Sequence, residues 1–305
     1  MDRESQEVAA APEAGSPEAA LAEIRAHLRE GRPLVGSLAT AFYRAMAAVD
    51  PAAVEDSLAV LPGNGNVHVY ESMLAWASLV PGEQILDVGC GSGGATRVAA
   101  ALVGPRGLVV GIDPVSQTLA VARRRTPAGL PIVYRPGQVE RLSGIEDRRF
   151  DVVVASMVLE QVNDLAVALA EISRVLRPGG RLVASVMAFD RLRPFDSGLM
   201  GAVLAVVGRH APGALVGRAS RASIPGEPED AEAFRLAGLN TPEERDAQLA
   251  VVMADAEEAL TVFGRSAIWH MLDDEGRAAL RRVLERRTPH TLYLPVRFLR
   301  TRRPG

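Results

Sequence analysis

The 305-residue sequence contains no lysine, and all 34 of its basic side chains are arginine. Schiff-base chemistry, a lysine general base and a phosphate-gripping P-loop lysine are therefore excluded. Cysteine is almost as scarce. The single one, Cys90, rules out an intramolecular disulfide and any cysteine-cluster metal site; its place within a run of glycines suits a small packed side chain. No apolar stretch reaches the roughly 18 residues that a spanning helix needs, and the N-terminus carries no basic segment ahead of an apolar run. A cytoplasmic protein with no membrane partner is expected. Thirty-seven acidic residues leave a formal charge of -3 and a pI near 6.0, so there is no general attraction to nucleic acid. No spacing of His, Asp and Glu matches a metal site, and no repeat is visible.

What the chain does contain is alternation of apolar runs with amphipathic stretches. Strands are expected at Gln84–Val88, Leu108–Ile112, Ile132–Arg135, Phe150–Ala155 and Arg181–Met187. Between them, helices are expected through Thr96 to Leu102, Ser116–Arg125 and Ala166–Leu176. Such alternation implies an α/β fold whose parallel sheet is covered on both faces. Residues 1–18 lack periodicity and read as a disordered tail. Residues 19–80 read as N-terminal helices, with a turn at Asn64-Gly65-Asn66 and a helix over Val69–Leu79; 81–188 form the core, and 189–226 a cap insertion. Residues 227–305 read as the C-terminal half of the core, with strands at Asp246–Met253 and Thr291–Thr301 enclosing a second helical insertion.

The most specific segment is Ile85-Leu86-Asp87-Val88-Gly89-Cys90-Gly91-Ser92-Gly93-Gly94. A strand feeds a glycine turn whose backbone can approach a ligand closely, and about twenty residues later the next apolar run ends on Asp113, placed to accept hydrogen bonds from both hydroxyls of a ribose. Gly89, Gly91 and Gly94 also satisfy the G-x-G-x-x-G spacing of dinucleotide sites, so the glycines alone leave a nicotinamide cofactor and S-adenosylmethionine both open. Asp87 separates them. A carboxylate at the end of the strand repels a pyrophosphate and suits a ligand with a cationic amino group and sulfonium.

Leu86 to Gly93 resembles motif I of the class I S-adenosylmethionine-dependent methyltransferases, in their small-molecule branch, and the turn Leu176-Arg177-Pro178-Gly179-Gly180-Arg181-Leu182-Val183 is similar to the one that delivers the chain to strand five in that family. The resemblance covers residues 70 to 187 well and the last 80 weakly. It implies a Rossmann-like, seven-stranded, mostly parallel sheet in the order 3-2-1-4-5-7-6 with helical cap insertions. It further implies that S-adenosylmethionine is bound and S-adenosylhomocysteine released. Carried over, Asp87, Gly89, Gly91 and Gly93 contact the methionine moiety and Asp113 the ribose, while Pro114 and Val115 pack on the adenine. Gln138 stands where relatives usually have an aspartate for the adenine amino group; its carbonyl can still accept that bond, with Val139 beside it. Ser156 and Met157 border the sulfonium.

The acceptor end departs from the family. Many small-molecule relatives carry a Glu-His pair after strand four, whereas this chain has Glu160-Gln161. Candidate proton acceptors are therefore Glu160, His68 and Tyr70, the last two alternating as on one face of a short extended segment; His210 and His270 lie in regions that can cover the pocket. Leu199, Met200, Leu204, Phe263, Trp269 and Met271 give the inserts an apolar character. A small hydrophobic acceptor is expected, methylated on oxygen, nitrogen or carbon, by a monomer or homodimer. Two other functions stay open: a cyclase or pericyclase on the same cofactor fold, and a nicotinamide-dependent oxidoreductase.

Overall fold

The apolar runs become strands β1 (Gln84–Val88), β2 (Leu108–Asp113), β3 (Ile132–Pro136), β4 (Phe150–Ser156) and β5 (Leu176–Met187), followed by β6 (Glu243–Val252) and β7 (Thr291–Arg302). The computed structural model describes residues 15–56, 65–188, 198–215, 228–287 and 291–305. One seven-stranded sheet has the order β3-β2-β1-β4-β5-β7-β6, as the resemblance implied. β1 to β5 pair in parallel, and β7 runs antiparallel between β5 and β6. β4 is buried from Phe150 through Ala155, which fits a strand of apolar β-branched residues with helices on both faces.

The helices are α1 (Pro17–Arg29), α2 (Gly36–Val49), α3 (Pro51–Asp56), α4 (Gly65–Ala77), α5 (Gly94–Val103), α6 (Ser116–Arg125), α7 (Leu165–Val175), α8 (Leu199–His210), α9 (Pro228–Leu236), α10 (Ala256–Gly264), α11 (Ala267–Met271) and α12 (Asp274–Arg286). Pro17 and Glu18, within the tail expected over 1–18, belong to α1. Ser16 caps α1 by accepting from the Ala19 amide at 3.1 Å, with Pro17 in the first turn, the usual sequence signature of a helix start. Residues 1–14, and with them most of that expectation, lie outside the described residues, as do parts of the 189–226 insertion.

The helices expected over 19–80 divide between two places. α1, α2 and α3 join α8, α10, α11 and α12 in one apolar cluster, containing Leu21, Leu28, Phe42, Val203, Phe263 and Leu284. The three helical segments of the sequence thus build a single lobe. α4 instead packs Val69, Met73 and Leu74 onto one sheet face with α5. Its far end is pinned by Arg181, whose guanidinium donates to the Ala77 and Ser78 carbonyls and to both oxygens of Glu83 at 2.6–2.9 Å. The turn expected at Asn64-Gly65-Asn66 is not formed by Gly65 and Asn66, which lie in the first turn of α4; Asn64 is outside the described residues.

Candidate cofactor and acceptor site

β1 ends where the glycine turn begins. Gly89 and Gly91 have φ of +63° and +53°, the left-handed region in which a side chain is strained. A Cβ on Gly89 would lie 2.4 Å from Val158 Cγ2, whereas one on Gly91 would meet nothing within 4 Å. The Gly91 backbone therefore faces open space, and that space is a cavity of about 390 Å³.

Asp113, at the end of β2, fastens the turn. One carboxylate oxygen accepts from the Gly91 amide at 2.9 Å; the other accepts from the Val115 amide at 2.8 Å and the Thr118 hydroxyl at 3.0 Å. Burial raises its pKa, and these three bonds oppose the rise. It lines the cavity with Gly89, Gly91, Pro114, Gln138, Val139 and Ser156. Two other cofactor candidates do not line it. Asp87 is 1% exposed and accepts from Thr96 of α5 at 2.5 Å. Its carboxyl is pushed up to about 7, chiefly by desolvation and further by Asp113, against the lowering effect of the Thr96 bond. Gly93 leaves room for Tyr134, whose hydroxyl would be 2.4 Å from a Cβ there. Cys90 is buried, and burial with the nearby Asp87 and Asp113 carboxylates raises its thiol; it packs as a small neutral side chain.

Of the three proton-acceptor candidates, Tyr70 and Glu160 reach the cavity. Tyr70 sits against Gly94, where a Cβ would be 2.5 Å from its ring. Desolvation, and then the Asp87 carboxylate, hold its phenol protonated far above the ordinary range, so it can donate a hydrogen bond but not take a proton. Glu160 is 5% exposed on the short turn Leu159–Gln161. The extended segment expected around His68 and Tyr70 is helical: both belong to α4. Successive helical residues advance by about 100°, so alternation does not bring the two to a common face, and the His68 side chain is outside the described residues.

His210 and His270 do not border the cavity. His210 lies 3.7 Å from Asp273, and His270 lies 3.4 Å from Asp50, both within the helical lobe. Gln161, where relatives carry histidine, donates its side-chain amide to the Met157 carbonyl at 2.7 Å. Met157 has φ +56°, and its amide donates to the Ser185 carbonyl at 2.8 Å. A left-handed residue on the cavity wall is thus tied at both its backbone groups.

The far wall was only partly legible. Met200, Leu204, Phe263 and Met271 line the cavity as the apolar inserts suggested, but Leu199 and Trp269 do not. Thr40, Tyr43 and Met46 of α2 also line it, without any motif to mark them; so does Met187, whose place at the end of β5 was the available signal. Among the described residues, no three His, Cys, Asp or Glu side chains group as a metal site, and no helix is long and apolar enough to cross a membrane.

Residues 86–184 match the methyltransferase domain family. That match runs from β1 into β5. Members of this family take their methyl group from S-adenosylmethionine. Similarity extends at 37% identity to an uncharacterised protein of a Streptomyces fradiae transposon, over 53% of this chain and 48% of that one. At 34% identity it reaches the 2-phytyl-1,4-naphtoquinone methyltransferase of Synechocystis sp., over 42% of this chain and 55% of that enzyme. The chain spans about half the length of these curated relatives. A solved Bacillus halodurans C-125 protein shares the fold at 18% identity and a TM-score of 0.54, over 77% of this chain and 99% of that one. The methyltransferase domain thus supplies the turn, the Asp113 ledge and the β4 end, while the helical lobe closes the cavity from outside it.

Proposed function

We propose that the protein transfers a methyl group from S-adenosylmethionine to oxygen, nitrogen or carbon of a small, largely apolar metabolite. The observation that carries this reading is one cavity bounded at one end by the Gly89–Gly91 turn, Asp113 and Gln138, and at the other by apolar side chains of the helical lobe. The residues fit the cofactor: an open cradle at Gly91, a carboxylate with remaining acceptor capacity at Asp113, and Pro114, Val115 and Val139 as an apolar slot. The Asp87 carboxyl behind the turn, raised to about 7 by desolvation, carries negative charge above that pH, suited to a cationic ligand. When bound, the cofactor supplies an electrophilic methyl on a sulfonium. The chain's own part is alignment: an in-line displacement needs the acceptor atom held near its attack position. Tyr70 donates a hydrogen bond there, Glu160 offers a buried carboxylate, and His68 on α4 remains a candidate proton acceptor.

Calorimetry with S-adenosylmethionine and S-adenosylhomocysteine tests the cofactor, with saturable binding of both expected and no heat from either refuting it. Mass spectrometry of acceptors incubated with enzyme and cofactor tests the reaction, through a gain of one CH₂ unit. A cyclase on the same fold is the second reading, favoured by Gln161, whose amide is committed to the Met157 carbonyl where a base would stand. Its product would keep the substrate's elemental composition.

A further inference from the structure

Methionine is unevenly placed in this protein. Of eight methionines in the sequence, five border the one cavity described above: Met46, Met157, Met187, Met200 and Met271. The apolar clusters elsewhere are built mainly from leucine, valine, isoleucine, alanine and phenylalanine, with Met73 and Met253 the other buried methionines among the described residues. Three of the five come from separate helices of the lobe, Met46 from α2, Met200 from α8 and Met271 from α11, and all three are buried. A thioether side chain has three rotatable bonds and a polarisable sulfur that makes favourable contacts with aromatic rings. Such a side chain specifies a packed core poorly but adapts well to an apolar guest.

Two hydroxyls on the same wall are spent on the protein's own backbone. The Thr40 hydroxyl donates to the Gly36 carbonyl at 3.3 Å, and the Ser266 hydroxyl donates to the Phe263 carbonyl at 2.6 Å. Leu204, Val207 and Leu292 lie on this wall with Phe263 and Ile268, and Tyr43 and Arg265 are its other polar side chains. Against the apolar members a charged or heavily hydroxylated portion of a substrate would lose its hydration without replacement hydrogen bonds.

We propose that the lobe side of the cavity is a methionine-walled subsite for an aromatic or conjugated hydrocarbon portion of the acceptor, with Met46, Met200 and Met271 setting which shapes are admitted. This rests on the methyltransferase reading and deepens it. The acceptor atom lies towards Met157 and Glu160, and the hydrocarbon extends beneath α2, α8 and α11.

The test uses full-length protein saturated with S-adenosylhomocysteine, whose own affinity is measured first. Calorimetric Kd values are then compared for 1-naphthol and for decahydro-1-naphthol, its saturated counterpart of similar size. Wild type is expected to bind the aromatic probe at least threefold more tightly, and Met46→Leu/Met200→Leu/Met271→Leu to lose most of that preference. Methionine-to-leucine exchanges conserve volume and are well tolerated in packed interiors; the three single variants, each expected to lower the ratio, serve if the triple one does not fold. Equal affinity for the two probes in wild type, or an undiminished ratio in the variants, overturns the subsite. Absence of S-adenosylhomocysteine binding would instead overturn the cofactor reading beneath it.

Discussion

Replacing Asp87 by asparagine should make the protein less stable in mild acid and more stable in mild base. The carboxyl titrates near 7 in the folded protein, against 3.8 for an ordinary aspartate. Between these values the native state binds more protons than the unfolded chain, so stability falls as pH rises through the window. For one such group the linkage gives a loss of about 2–3 kcal/mol between pH 5 and pH 8. Asparagine does not titrate and can still accept the Thr96 hydroxyl, but its NH₂ enters a site 1% exposed at a cost of about 1–3 kcal/mol if unpaired. Urea unfolding at both pH values isolates the effect, because other titrating groups cancel when the variant is compared with wild type at each pH. The stability difference between the two proteins should shift by about 2–3 kcal/mol in favour of the variant on going from pH 5 to pH 8. A difference that is the same at both pH values would refute the assignment of a buried, high-pKa carboxyl to Asp87. The same reasoning makes S-adenosylmethionine bind more tightly as pH rises through about 7, since a nearby cation favours the ionised form.

Gly89→Ala should destabilise by about 2–5 kcal/mol, from the left-handed backbone and the contact with Val158; adding Val158→Ala should recover only the contact share, as read by denaturant titration of the single and double variants. Gln161→Leu removes the donor to the Met157 carbonyl and should cost about 1–2 kcal/mol together with weaker S-adenosylhomocysteine binding, whereas Gln161→His, which keeps an N–H donor, should restore most of both. His270 has its pKa lowered, first by burial and partly offset by Asp50. The unfolded chain therefore takes up the proton first, and stability contributed by neutral His270 is complete above pH 6.5 and lost below it. His270→Gln should flatten that part of the acid slope in thermal melts at pH 5 to 7.

The sheet was legible because its signals are local: runs such as Phe150 to Ala155 admit few other readings, and the family turns mark where strands begin and end. The placement of Asp113 beside the glycine turn was legible for the same reason, since it follows that turn at a fixed spacing. Asp87 was read as a ligand contact from its charge and the family resemblance, and Gly93 from the resemblance, whereas packing turns one towards Thr96 and gives the other's space to Tyr134. Spacing locates a backbone and does not say which neighbour fills the room beside it. The segment around His68 and Tyr70 misled because alternation over three residues is too short to separate a strand from a helix. The rest of the far wall was illegible for a different reason: Thr40, Tyr43, Met46 and Leu292 meet only in three dimensions.

The helical lobe draws on both ends of the chain, Leu21 to Ala53 from one side and Leu199 to Leu292 from the other. At a synthesis rate of roughly 5–20 residues per second, α2 leaves the ribosome some ten to thirty seconds before α8, its neighbour in that cluster. By the end of this interval the strands β1 to β5 have been synthesised, while Phe42 and Met46 have until then had no apolar neighbours from the later helices. The nascent chain thus passes through a stage with the glycine turn and Asp113 made and the far wall of the cavity unmade, when α1 and α2 lack the helices that cover them.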